Sequence, residues 1–268
     1  MTSIYRFETL NYFEQVVRDK ELTFVSPYEW PDINEGLLFK NVFMRGDMEK
    51  VRAAADQMFE NTFAYKDIDG VAITDLLIVL RTTRLAQCWS KCEGNCTLWC
   101  NKDVRIEVHR EDLSRLSGVK VRDVEYVESV TIEDGLKRLR VEPIAGGNRI
   151  DVDSVLLLKH CSFSEEHEVR LLVTEGENVN RDRSERIPFT QVFAQLYRQG
   201  KMSKEDYEGK ISRLRIINEK KVSFAHIDNF IKSVMLSPSA STEDESNVER
   251  LCEKYSLKYL GRWQPRCP

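Results

Sequence analysis

Between Phe163 and Val173 the chain reads Phe-Ser-Glu-Glu-His-Glu-Val-Arg-Leu-Leu-Val. Val169, Leu171 and Val173 alternate with Glu168, Arg170 and Leu172, which predicts a β-strand. On such a strand Glu166, Glu168 and Arg170 project from one face. Two carboxylates and a guanidinium on a strand that is apolar further along are costly unless they are solvated, paired or used. An acidic pair opening an apolar strand suits a site that must stabilise a developing positive charge.

Two earlier residues complete a constellation. Arg6 lies in the first apolar run, 4–7, and Ser26 ends a β-rich run, 22–26, just before Pro27. Each has a plain structural role open to it: Ser-Pro is commonly a turn, and Glu166 and Glu168 can simply pair with Arg170 or Arg6. The four cysteines Cys88, Cys92, Cys96 and Cys100 recur every four residues and would stack on one face of a helix, but Gly94 and Asn95 interrupt it. Zinc sites favour two-residue gaps in their cysteine pairs, and Trp89 and Trp99 flank the cluster, so buried thiols are expected and no metal. Tyr5, Phe7, Phe24, Trp30, Trp89 and Trp99 could line a pocket for an aromatic ring. Trp30, in a polar loop, is the candidate stacking or lid residue. Ser237 to Ser241 lead toward a helix N-terminus and read as capping. The four histidines pair with no legible nucleophile, and His167 is expected to face away from its two glutamates.

The elements that would position these groups follow from periodicity. Helical spacing marks residues 9–18, 47–63, 73–85, 111–116 and 189–198. Strands are predicted at 104–108, 121–127, 153–160, 166–173, 232–236 and 258–263. Gly146-Gly147-Asn148 signals a hairpin. Thr242 and Glu245 form a predicted capping box opening a C-terminal helix to Tyr255. Residues 27–36 form a predicted loop, and 175–215 a helical or loop insertion. Without a regular βαβ rhythm the expected class is α+β. The expected architecture is a single domain over residues 1–268, with a mixed or antiparallel sheet split around a cleft and helices flanking it.

Bulk composition narrows the function classes. The chain has 268 residues, 41% hydrophobic and 31% charged, with net charge −4. That balance describes an ordinary globular protein and speaks against non-specific nucleic-acid binding, which needs a basic surface. No stretch of about 18 apolar residues is present, so no membrane partner is expected. The N-terminus has no apolar signal core and the cysteines number seven. Both observations point to reduced thiols in a cytoplasmic location.

Several short segments in order resemble a bacterial and phage family, domain-of-unknown-function family 2971. They are Ile4 to Phe7, Leu22 to Pro27 with Trp30 to Glu35, Cys88-Trp89-Ser90 with Leu98-Trp99, Glu165 to Arg170, and Ile231 to Pro238. The sequence departs from that pattern after Trp99, at Cys100-Asn101-Lys102, and in the loop Pro31 to Glu35. The order Arg6, Ser26, Glu166 and Glu168 also resembles the Arg–Ser–Glu signature of ADP-ribosyltransferases.

That second resemblance implies an enzyme cleaving the nicotinamide–ribose bond of NAD, acting as a toxin or phage-defence effector on a protein or nucleic-acid acceptor. Loss of nicotinamide leaves an oxocarbenium-like ribose, as in glycoside cleavage. Glu168 would stabilise it, Glu166 would orient or deprotonate the acceptor, and Arg6 would fork onto the diphosphate. Ser26 would fix Glu168 or the ribose, while Tyr5, Trp30 and Arg170 would complete the NAD contacts. A non-catalytic nucleotide- or protein-binding module is the alternative. A third reading is a Mg²⁺-dependent nuclease using Asp32, Glu35, Glu166 and Glu168. It is disfavoured because no lysine accompanies these acids in the sequence.

Overall fold

The three-dimensional structure is a computed structural model, and it describes residues 2–27, 84–95, 97–128, 140–144, 147–151, 153–174, 196, 199–206 and 219–264. The chain opens with strand β1 (Ser3–Glu8), helix α1 (Leu10–Asp19) and strand β2 (Glu21–Val25). Thr9 caps α1 by accepting a hydrogen bond from the Tyr12 N–H. Lys20 ends it in the left-handed region at φ 55°, its N–H bonded back to the Val16 carbonyl. Phe13, Val16 and Val17 form the buried stripe that docks α1 on the sheet.

Strands β3 (Arg84–Ser90), β4 (Val104–His109) and β5 (Val119–Asp123) follow, with a short helix α2 (Arg110–Ser114) between the last two. Then come β6 (Glu125–Val127), a hairpin of β7 (Arg140–Ile144) and β8 (Gly147–Asp151), β9 (Leu158–His160) and β10 (Glu168–Thr174). Strand β11 (Glu219–Ser223), helix α3 (Ile227–Phe230), β12 (Ile231–Leu236), helix α4 (Thr242–Lys254) and β13 (Tyr259–Arg262) close the chain. Among the described residues nine strands make one sheet, in the order β11-β2-β3-β1-β4-β12-β13, with β10 on β3 and β5 on β10. Every pair in it is antiparallel except β12 with β13. The fold is α+β, as the mixed rhythm of the sequence predicts. Ile4, Phe24, Leu85, Ile106, Leu171 and Val234 anchor its core. No helix among the described residues is long and apolar enough to cross a membrane.

Several expectations shift. The predicted strand 121–127 is two strands, broken at Val124, whose N–H turns to the Glu168 carbonyl. The predicted strand 153–160 is a 3₁₀ turn (Asp153–Leu157) running into the short β9, and it does not pair with β10. A continuous apolar run such as Val155 to Leu158 carries no period that separates the two forms. β9 pairs in parallel with β6 as a separate small sheet. Leu85 belongs to β3 and not to the end of a helix. The hairpin at Gly147 and Asn148 is present. The predicted helix 47–63, residues 73–83 of the next, and residues 28–36, 175–195 and 207–215 lie outside the described residues.

The capping box of α4 sits one residue earlier than its Thr-x-x-Glu spacing suggests. Ser241 Oγ accepts from the Asp244 N–H, and Asp244 Oδ2 accepts from the Ser241 N–H at 2.9 Å. Glu245 instead pairs with Arg262 on β13. Ser241→Ala is therefore expected to cost about 1 kcal/mol in urea denaturation, whereas Thr242→Ala should change little.

Candidate functional site

The site grows from the edges of β3. Strand β10 pairs along the whole of β3, from Glu168 with Ser90 to Thr174 with Arg84. β1 and β2 also meet β3, each at one position: Tyr5 with Ser90, and Val25 with Ala86. A strand has two edges, so β1 and β2 share one of them as a fork. Gln87, Cys88 and Trp89 lie between the two meeting points. A hollow of about 640 Å³ opens at this fork, within the size range of small-molecule sites. Tyr5 to Glu8, Thr23, Val25 and Ala86 to Ser90 line it, with Tyr12, Lys102, Lys221, Glu166 and Glu168 at its walls.

Register decides which side chains reach it from where. Tyr5, Ser90 and Glu168 form one row across β1, β3 and β10. At about 4.8 Å between strands, the Tyr5 and Glu168 backbones lie about 10 Å apart. Arg6, the next residue on β1, projects to the opposite face. The early guanidinium and the acidic pair therefore share one hollow but enter it from different faces of the sheet.

Arg6 is held from three sides. Its Nε donates to Glu8 Oε1 at 2.6 Å, and Nη2 pairs with the same oxygen. The guanidinium lies 4.9 Å from the Tyr12 ring centroid and 5.9 Å from that of Trp89. Burial works against its charge, but the Glu8 carboxylate and the Tyr12 hydroxyl outweigh it and raise the pKa. Among the described residues, its buried Nη1 has no hydrogen-bond partner. Gln87 organises the rings: its Nε2 donates to Tyr12 Oη at 3.0 Å and to the Thr23 carbonyl at 2.6 Å. Its Oε1 accepts from Trp89 Nε1 at 3.1 Å.

The acidic wall departs from the simple strand picture. Glu166 ends a 3₁₀ turn (Cys161–Glu166), and β10 begins only at Glu168. Between them His167 adopts a left-handed φ of 45°, a conformation uncommon for a non-glycine residue. The two carboxylates nevertheless converge, because both grip Lys159 on β9. Lys159 Nζ lies 2.7 Å from Glu166 Oε2 and 2.8 Å from Glu168 Oε2. A lysine does accompany the acids, so that objection to carboxylate phosphate chemistry falls. Asp32 and Glu35 lie outside the described residues. Among those described, no three acids, histidines or cysteines are grouped to hold a metal.

Arg170 is fully buried, donating from Nε to Glu168 Oε1 at 2.6 Å and from Nη1 to the Leu156 carbonyl. It does not line the hollow, so it supports Glu168 from behind rather than facing a ligand. Ser26 is likewise buried, one residue past the lining Val25, and is not among the lining residues. Trp30 lies outside the described residues. Tyr5 lines the hollow, Phe24 is core, and Trp99 packs edge-on against Phe7 at 4.9 Å. Cys88 is in extended β3 and Cys100 in a turn, so the helical thiol stack does not form; Cys96 lies outside the described residues. Cys88, Cys92 and Cys100 form no disulfide.

Lys159, Gln87, Tyr12, Glu8, Lys102 and Lys221 are among the site residues that sequence reasoning missed. For Lys159 and Gln87 a signal existed: each interrupts an otherwise apolar run, and polar groups in such runs are paired or costly.

Burial alone would push the Glu168 carboxyl up. Arg170 and then Lys159 outweigh it and bring the pKa from its usual 4.5 down to about 2. The lowered value means the ionised carboxylate stabilises the fold above about pH 4.5, and that contribution is lost as pH falls toward 2. At about 1.4 kcal/mol per tenfold, the loss amounts to about 3 kcal/mol. Urea denaturation between pH 6 and pH 2.5 should show this decline in the wild type and a shallower one in Glu168→Gln. The chain matches no family model, no curated protein and no solved structure.

Proposed function

We propose that the hollow binds NAD and that the protein is an ADP-ribosyltransferase-like enzyme. The observation that carries this reading is that Arg6, Glu166 and Glu168, remote in sequence, line one hollow of nucleotide size. The ring-flanked Arg6, already paired to Glu8, together with Lys102 and Lys221 at the walls, offers the cations for a diphosphate. Tyr5, Tyr12 and Trp89 offer faces for adenine or nicotinamide.

Glu168 stays ionised at any physiological pH, as a group facing an oxocarbenium ion must. A carboxylate has about four lone-pair positions, so its two ion pairs leave room to accept a ribose hydroxyl. In the reaction the nicotinamide–ribose bond breaks with its electron pair leaving on nicotinamide. The acceptor then attacks the ribose carbon, and its proton passes to Glu166 or to solvent.

A second reading is a nucleotide-binding module without turnover. It is favoured by the two cations on Glu168, which offset the negative charge that carboxylate presents to a developing cation.

Calorimetric titration with NAD and ADP-ribose, beside chromatography of nicotinamide released from NAD, separates the two. Binding with release supports the transferase, and binding of both ligands without release leaves the module. Failure of both nucleotides to bind at millimolar concentration overturns the nucleotide site altogether.

A further inference from the structure

Resting on the nucleotide reading, the geometry points to Lys159 as a positioning residue. We propose that its ammonium clamps the Glu166 and Glu168 carboxylates together at one wall of the hollow, and so fixes where the ribose end of a bound nucleotide lies.

The backbone alone does not bring these acids together. Glu166 is on a 3₁₀ turn, His167 is left-handed, and Glu168 starts a strand. Two adjacent carboxylates repel, and in a buried setting one of them would neutralise by taking up a proton. Lys159 removes that choice. Its side chain is 3% exposed, and single hydrogen bonds of 2.7 and 2.8 Å reach one oxygen of each acid. The Phe163 ring lies 5.0 Å from Nζ and flanks the cation.

Lys159 comes from outside the main sheet. β9 belongs to the small sheet it makes with β6, and that sheet docks around Glu168 through polar contacts. Tyr126 Oη on β6 accepts from the Glu168 N–H at 2.7 Å, and the Val124 N–H donates to the Glu168 carbonyl at 3.1 Å. Arg170 reaches back to the Leu156 carbonyl beside β9. Backbone and side chain of Glu168 are thus both located by the same small element. Lys159 is the member of that element that also locates Glu166, the more exposed of the two lining acids at 21% against 3% for Glu168.

The test uses Lys159→Met, Lys159→Gln and Lys159→Arg in the full chain. NAD kinetics are followed by nicotinamide release, and glutamate carboxyl signals by ¹³C NMR. The expected result is a KM for NAD raised about tenfold or more in Lys159→Met, less in Lys159→Gln, and near wild type in Lys159→Arg. kcat should change less than KM, since the ammonium touches no reacting atom. If the methionine variant does not fold, the glutamine and arginine variants carry the same ordering.

Equal KM values across the folded variants, with unmoved carboxyl signals, overturn the proposal. Should the wild type release no nicotinamide, the transferase reading fails while this one is still decided. Glu166 and Glu168 carboxyl signals that separate on loss of the ammonium and return with arginine support it. Signals that stay in place sink it.

Discussion

Arg170→Met is expected to lower the unfolding free energy by about 3–5 kcal/mol, the range for removing one partner of a buried ion pair. Arg170 is fully buried, and its guanidinium satisfies Glu168 Oε1 and the Leu156 carbonyl. Methionine fills similar length but donates nothing, so both acceptors lose a partner inside the protein. Lys159 still faces Glu168, which places the expected value toward the lower end of that range. The double variant Glu168→Met/Arg170→Met should lose less than the sum of the single changes, because it removes the charge as well as its partner. Urea denaturation of the four proteins measures the cycle. A cost under about 1 kcal/mol for Arg170→Met would mean that the interior network is not what holds this wall.

Glu168→Gln should reduce nicotinamide release by about 10²–10³-fold while leaving NAD affinity within severalfold, the pattern of a group that acts on charge developing only in the transition state. The amide keeps the shape and can still accept a hydrogen bond, but it brings no negative charge to the ribose. It also leaves Lys159 and Arg170 facing a neutral group, so the variant should be less stable as well. Kinetics must therefore be taken at a temperature where circular dichroism shows both proteins folded. Single-turnover release at saturating NAD isolates the chemical step. Retention of more than about one-tenth of the wild-type rate would leave Glu168 as an interior ion-pair member and shift the catalytic role elsewhere.

Much of the frame could be read in advance where one element's own residues determine it. The helical spacing of Leu10, Phe13 and Val17 announces α1, and the alternation of Val104, Ile106 and Val108 announces β4. What escaped was decided between elements. Val124 looks like any strand residue until the Glu168 carbonyl draws its N–H aside. Val155 to Leu158 could be strand or turn, and only pairing of β9 with β6 chooses. Arg170 looks like a surface-facing strand cation, yet it is buried, because the 3₁₀ turn that carries Leu156 lies against it and the Leu156 carbonyl accepts from Nη1. The acidic pair was visible by type and spacing. Lys159 showed as a polar break in an apolar run, but its pairing with the acids did not, because a 3₁₀ turn lies between Lys159 and Glu166 and no local period links them.

The fork in which β3 touches β1 only at Tyr5 and β2 only at Val25 gives the cavity an origin independent of any one side chain. Its existence is a matter of connectivity: α1 spaces two neighbouring strands so that they diverge along a common third. Substitutions on the walls can then retune which guest is admitted without closing the vestibule, and selectivity could drift through many alternatives on an unaltered scaffold.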